Sequence, residues 1–132
     1  EDIAVPRSQL VYYITALEEM SRRHGVGLRV IAHAGDGNLH PTFWVPGMDL
    51  QGIAALNAAL DESIAKALEL GGTITGEHGI GQYKLRWLGL EQGEDVSGLQ
   101  RSVKNLFDPH GIFNPGKAIL CGPPFTNLQT TP

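Results

Sequence analysis

Two short runs, "LRVIAHA" at 28–34 and "LHPTFWV" at 39–45, are separated by little more than Asp36-Gly37. Nothing else in the chain narrows its fold as much. Both runs alternate apolar and polar positions, the period of a half-buried strand. Asp-Gly is a favoured centre for a two-residue hairpin loop, where both central residues need φ > 0. The pair therefore predicts an antiparallel hairpin. With Asp36 and Gly37 as its loop, His33 faces His40, their Cβ atoms roughly 5 Å apart on one face. The opposite face carries Val30, Ala32, Ala34, Leu39, Phe43 and Val45. Ile31, His33, His40, Thr42 and Trp44 share the histidine face, and a slip of one residue would mix the two sets. The apolar face packs on helices. The mixed face is expected to meet another domain or a ligand.

The flanking segments supply those helices. Ile3 to Val5 reads as a strand stopped by Pro6, and Ser8 can cap a helix with Leu10, Ile14, Leu17 and Met20 at helical spacing. Gly25 ends that helix. A second helix is expected from about Asp49 to Leu70, with Ile53, Leu56, Leu60, Ile64 and Leu68 along one side and Gly71-Gly72 beyond it. "YKLRWLGL" suggests one or two helical turns. A third helix starts at Asp95, carries Val96, Leu99, Val103 and Leu106 on one face, and stops at Asp108-Pro109. The order β-α-β-β-α-loop-α predicts an α+β fold with helices on one face of a mainly antiparallel sheet.

The 132 residues amount to one domain. A formal net charge of −4 gives a nucleic-acid partner no electrostatic support. No run approaches the ~18 apolar residues of a membrane span, and no signal peptide is visible. The single cysteine, Cys121, excludes an internal disulfide and a thiolate metal cluster. It suits a reducing interior, so a cytoplasmic location is expected. The chain enters at Glu1 on a strand-like run, which reads as a cut inside a longer protein. The domain is expected over 1–120 and a flexible tail over 121–132.

Two glycine-rich segments hold three of the five histidines. On the hairpin, two facing imidazoles could reach one zinc ion at about 2.0–2.1 Å each; taken alone, such a pair on a half-exposed hairpin is more often plain polar surface. In "TGEHGIG", Glu77 and His78 sit among Gly76, Gly79 and Gly81, where the backbone can take unusual angles and admit a ligand. If Glu77 completed the site, His33, His40 and Glu77 would form a two-histidine, one-carboxylate set suited to zinc and other first-row divalent metals. His78 would stand beside it, free to act as a base. The plainer alternative is a tight surface turn with incidental charges. Lys84 and Arg86 could hold an anion but read better as a solvated helix face. Trp44 and Trp87 read as packing or interface residues, and His24 and His110, each beside a glycine at a helix end, as structural caps. "GDGN" lacks the Lys-Ser/Thr ending of a phosphate loop.

"HAGDGNLHP" (33–41), "TGEHGIG" (75–81) and "DPHGIFNPGK" (108–117), in that order, resemble the C-terminal part of FAD-linked oxidases. The group concerned contains the glycolate oxidase FAD-binding subunit, D-lactate dehydrogenase and D-2-hydroxyglutarate dehydrogenase. "EDIAVPRSQL" resembles the segment that precedes those motifs, so the resemblance covers residues 1 to about 120. It implies a ferredoxin-like α+β sandwich that covers a flavin, and oxidation of a D-2-hydroxy acid to the 2-oxo acid with electrons passing to FAD. It also implies an N-terminal domain of the same protein holding most of the FAD, and other oxidase subunits as partners, through which the protein would be peripheral to the inner membrane. By the same resemblance His33, His40 and Glu77 bind a divalent metal (zinc, manganese or iron), His78 is the base, and Asn38, Asn114 and Lys117 lie near the flavin or brace the domain. Thr42 stands where the hydroxyglutarate enzymes tend to carry Asn, which favours a glycolate or lactate substrate. A metal-dependent hydrolase, or a non-catalytic ferredoxin-like binding domain, are the alternatives from other classes.

Overall fold

The computed structural model describes residues 1–47 and 49–119; the tail expected over 121–132 lies outside them. The chain divides into two compact units, Glu1–Gly79 and a second beginning at Ile80.

The first unit contains β1 (Ile3–Ala4), α1 (Leu10–His24), β2 (Gly27–His33), β3 (Asn38–Trp44) and α2 (Leu50–Glu69). The strands form an antiparallel sheet in the order β1-β3-β2. After α2 the chain returns to the free side of β1, where Ala4 and Thr73 exchange backbone hydrogen bonds of 3.2 and 2.8 Å. With this one-bridge fourth strand, the sequence β-α-β-β-α-β and the spatial order Thr73-β1-β3-β2 are those of a ferredoxin-like sandwich. Ile3, Leu39 and Phe43 point from the sheet into a core with Tyr13, Leu17 and Met20 of α1 and Ala59, Ile64 and Ala67 of α2.

The hairpin differs from expectation by two residues. His33 pairs with Asn38, Ala32 with Leu39 and Ile31 with His40. Only Gly37 has a positive φ, +87°; Asp36 does not, so the two-residue turn that needs both is excluded. Instead Ala34–Gly37 form a four-residue loop. Asp36 and Gly37 donate their N–H groups to the His33 carbonyl at 3.2 and 3.1 Å, and Asp36 Oδ1 accepts from Asn38 N at 3.1 Å. Gly37 is also needed for space: a Cβ there would run into the Val5 carbonyl, which borders the loop through Val5 N–H to Gly37 O at 3.1 Å. Because the shift is two residues, every side chain keeps its expected face.

Helix ends follow the sequence with two corrections. Gly25 takes φ 65° after α1, and Asp49 caps α2 by accepting from Gly52 N at 2.7 Å. Ser8 caps nothing; it lies in a 3-10 turn, Arg7–Gln9, that leads into α1. The inward line of α2 is turned slightly from the expected one. Ala59, Ser63 and Ala67 are buried while Ile53 is 36% exposed. These small residues leave room for Tyr13, whose hydroxyl donates to the Ser63 carbonyl at 3.0 Å. Burial pushes the Tyr13 hydroxyl pKa up. At the end of α1, His24 Nε2 meets Glu62 Oε2 at 2.7 Å, and Arg23 also pairs with Glu62. The hydrogen bond from His24, followed by that from Arg23, holds the Glu62 carboxyl below its ordinary range. His24 is therefore not the helix cap that its place beside Gly25 suggested; Gly25 is the C-cap, and the His24 side chain ties α1 to α2 instead.

The second unit contains α3 (Leu85–Glu91) and α4 (Glu94–Phe107). Trp87 and Leu88 are buried, and so is Lys84, against the reading of a solvated face; Arg86 is exposed and lies over the Trp87 ring at 4.1 Å. Val96, Leu99, Val103 and Leu106 do share a face of α4, and all four are exposed. Asp108 ends α4. Its carboxylate accepts from Lys104 Nζ, from Ile112 N at 2.9 Å and from Phe113 N at 2.9 Å, and these bonds, Lys104 first, hold its pKa down to about 2. No helix among the described residues is long and apolar enough to cross a membrane.

Candidate functional site

The site lies on the outer face of the sheet in the first unit, with His40 of the central strand in the middle. His33, at the end of β2, is its diagonal neighbour, a distance that ring side chains can span. The ring centroids stand 5.3 Å apart, edge to face. On the other side, Ile3 pairs with Leu39 and Ala4 with Asn38, so the same register carried back one residue sets Asp2 opposite His40. Asp2 Oδ1 is 3.7 Å from His40 Nδ1.

The loop after Thr73 closes over this face. Glu77 Oε1 lies 3.3 Å from His33 Nε2, 3.3 Å from His40 Nε2 and 3.8 Å from His78 Nε2. His78 stacks on His40 with centroids 5.0 Å apart and planes 18° apart. The loop can approach so closely because of Gly76: a Cβ there would stand 2.6 Å from Asn38 Cγ and 2.8 Å from Asp2 Oδ1. His40 is recessed, whereas His33, Glu77 and His78 are more than half exposed. The site is thus a shallow cluster open to an incoming molecule.

The spacing suits a metal. Two donors bound to one zinc at about 2.0–2.1 Å in tetrahedral geometry stand roughly 3.3 Å apart. Both contacts from the Glu77 carboxylate to the imidazole nitrogens have that length. Charge-assisted hydrogen bonds would close to about 2.7–2.9 Å. A second group, Asp2, His40 and His78, also has donor atoms within 4.8 Å of one another. Its Asp2 oxygens, however, already accept hydrogen bonds from Thr75, Glu77 and His78. The set His33, His40 and Glu77 keeps its donors accessible and is the better cation site.

Of the other residues singled out in the sequence, Asn38 is 5% exposed, and its side chain packs beneath Gly76. Asn114 and Lys117 belong to the second unit, both exposed, in the turn after α4, where Asn114 takes φ 46°. Asp2 escaped the sequence reading. It lies just before the strand-like run Ile3 to Val5, where no local pattern singles it out.

Fold and site define a ferredoxin-like α+β domain that presents two histidines from its outer sheet face and a carboxylate from the loop over that face. The family described as FAD linked oxidases, C-terminal domain, matches residues 1–118. The glycolate oxidase subunit GlcD of Bacillus subtilis is 38% identical over 117 residues, covering 89% of this chain and 25% of the relative. A D-lactate dehydrogenase of Anaerostipes hadrus is 36% identical over 118 residues, 88% of this chain and 25% of the relative. The mitochondrial D-lactate dehydrogenase (cytochrome) of Arabidopsis thaliana is 37% identical over 121 residues, 89% of this chain and 21% of the relative. The chain belongs to the FAD-linked oxidase C-terminal domain family. It spans about a quarter of the length of the curated relatives it matches.

Proposed function

We propose that the protein to which this chain contributes is a flavin-dependent oxidoreductase that oxidises a 2-hydroxy acid of the glycolate or D-lactate type to the 2-oxo acid. The observation that carries this reading is the convergence of Glu77 Oε1 on His33 and His40 Nε2, 3.3 Å from each, in a member of the FAD-linked oxidase family. Relatives named for glycolate and D-lactate support the substrate class. Their greater length supports an N-terminal FAD-binding domain in the same protein. Other oxidase subunits are further partners, and the location is cytoplasmic, peripheral to the inner membrane through them. Without the flavin domain, this segment alone is inactive.

His33, His40 and Glu77 would hold the divalent cation: zinc, manganese or iron. When bound, the cation would supply Lewis acidity toward the substrate hydroxyl, and FAD would supply two-electron acceptance for the hydrogen on C2. His78 takes the hydroxyl proton; its ring is exposed, with Nε2 on the Glu77 side of the cluster. Stacking on the recessed His40 ring restricts its orientation. Asn38, buried beneath Gly76, braces the loop over the sheet in the first unit. In the second unit Asn114 and Lys117, both exposed, are assigned to flavin contact or to bracing their own unit. Thr42, on the histidine face, is assigned to the pocket for a small hydroxy acid.

The test is the full-length enzyme with His78→Ala and, separately, His33→Ala. General-base removal should lower turnover by about 10²–10⁴-fold with FAD still bound. Wild-type turnover in both variants would sink the scheme.

A further inference from the structure

Asp2 is 1% exposed, and a buried carboxylate is costly unless its oxygens are hydrogen-bonded. Its oxygens take the donors of a single loop. Oδ2 accepts from Thr75 Oγ1 at 3.1 Å, from Glu77 N at 3.0 Å and from His78 N at 2.8 Å; Oδ1 lies 3.2 Å from Glu77 N. Two successive backbone N–H groups on one carboxylate fix the direction in which Glu77 and His78 leave the chain. The same Oδ1 faces His40 Nδ1, a buried nitrogen with no hydrogen-bond partner, at 3.7 Å.

An ionised carboxylate only accepts hydrogen bonds. Facing Nδ1, it favours the tautomer with the proton on that nitrogen. The Nε2 lone pair is then left on the Glu77 side. A carboxylate behind a ligating imidazole sets ring orientation and ligand basicity in this way in metal sites generally. We propose that Asp2 is the positioning residue of the site: one buried carboxylate orients His40 with Nε2 available as a donor and clamps the backbone that presents Glu77 and His78. The inference rests on the metal reading above. It assigns Asp2 the role of an organiser, not of a ligand.

The experiment compares full-length wild-type protein with Asp2→Asn, Thr75→Val and His33→Ala. It uses Co²⁺ alone as the probe, read by visible absorption, and follows amide hydrogen exchange at Glu77 and His78. Asp2→Asn should bind Co²⁺ about 10–100-fold more weakly. It should keep the wild-type band positions, because the ligands are unchanged, whereas His33→Ala should shift them. The Glu77 and His78 amides should exchange faster in Asp2→Asn. Wild-type affinity and wild-type exchange in Asp2→Asn would overturn the proposal. Shifted bands in Asp2→Asn would also overturn it, by making Asp2 a ligand. If wild-type protein gives no Co²⁺ bands, the metal reading falls by itself, and the exchange rates decide whether Asp2 holds the loop. If Asp2→Asn does not fold, Thr75→Val carries the same readouts. It removes one donor and leaves the carboxylate, so affinity should fall several-fold and exchange rise; no change in either overturns the proposal.

Discussion

Glu77 Oε1 stands equally far, 3.3 Å, from the Nε2 atoms of His33 and His40. The two imidazoles come from adjacent strands and the carboxylate from a loop more than thirty residues further on. Glu77→Gln keeps the side-chain volume and removes the charge. Loss of an outer partner of a metal site costs about 10–100-fold in affinity, and loss of a direct donor should cost more. The full-length variant should therefore bind Zn²⁺ at least about 100-fold more weakly than wild type in competition with a chromophoric chelator. Chelator-treated wild-type enzyme should lose turnover and regain it on adding divalent metal; unchanged turnover after complete metal removal would count against the assignment.

Gly76 is where the loop meets the sheet. A Cβ there would fall 2.6 Å from Asn38 Cγ and 2.8 Å from Asp2 Oδ1, so a neighbour must move. Overpacking of this kind costs about 1–3 kcal/mol. Gly76→Ala should destabilise by that amount in denaturant unfolding and weaken metal binding at the same time. Gly35→Ala is the control, because nothing lies within 4 Å of its added Cβ and its φ is not positive. It should change stability by less than about 0.5 kcal/mol.

Much of this architecture is legible in the chain because it is local. The strands around "GDGN", the Gly25 cap and the start of α2 near Asp49 each follow from neighbouring residues. The histidine face was legible too, since period-2 alternation survives a register shift of two residues. The register itself was not, because Asp-Gly permits a two-residue turn without requiring one. Here Asp36 bonds forward to Asn38 N and the loop grows to four residues. Asp2 was hidden for a different reason. Its donors lie more than seventy residues away, and no local pattern marks a carboxylate that will be buried by a distant loop. In α4 the apolar period gave the face of Val96, Leu99, Val103 and Leu106 correctly, but periodicity says nothing of what covers a face.

Tyr13 offers a measure of the helix pair behind the site. Its hydroxyl is buried and donates to the Ser63 carbonyl at 3.0 Å, across from α1 to α2. Tyr13→Phe removes the donor and leaves the ring. A buried hydrogen bond contributes about 0.5–1.5 kcal/mol net. Denaturant unfolding should show a loss of about 1 kcal/mol, with the metal affinity of the full-length protein unchanged. A loss of affinity would mean that the helix pair sets the geometry of the opposite sheet face.

Asp108 predicts an acid dependence in the second unit. Its carboxyl, bonded first by Lys104 and then by Phe113 N and Ile112 N, titrates at about 2 in the folded chain. An unfolded aspartate titrates near 3.9. A carboxyl whose folded pKa is depressed contributes stability that is complete above the unfolded value. That contribution fades as pH falls towards the folded one. Wild-type stability should therefore drop progressively between about pH 4 and pH 2 by the amount this carboxylate supplies. Asp108→Asn should lose that contribution at neutral pH and show a flatter dependence across the same window. The measurement is denaturant unfolding of both proteins from pH 7 to pH 2, with exchange at the Ile112 and Phe113 amides as a local readout. Parallel wild-type and variant curves through that window would mean that the Asp108 bonds contribute nothing to folding.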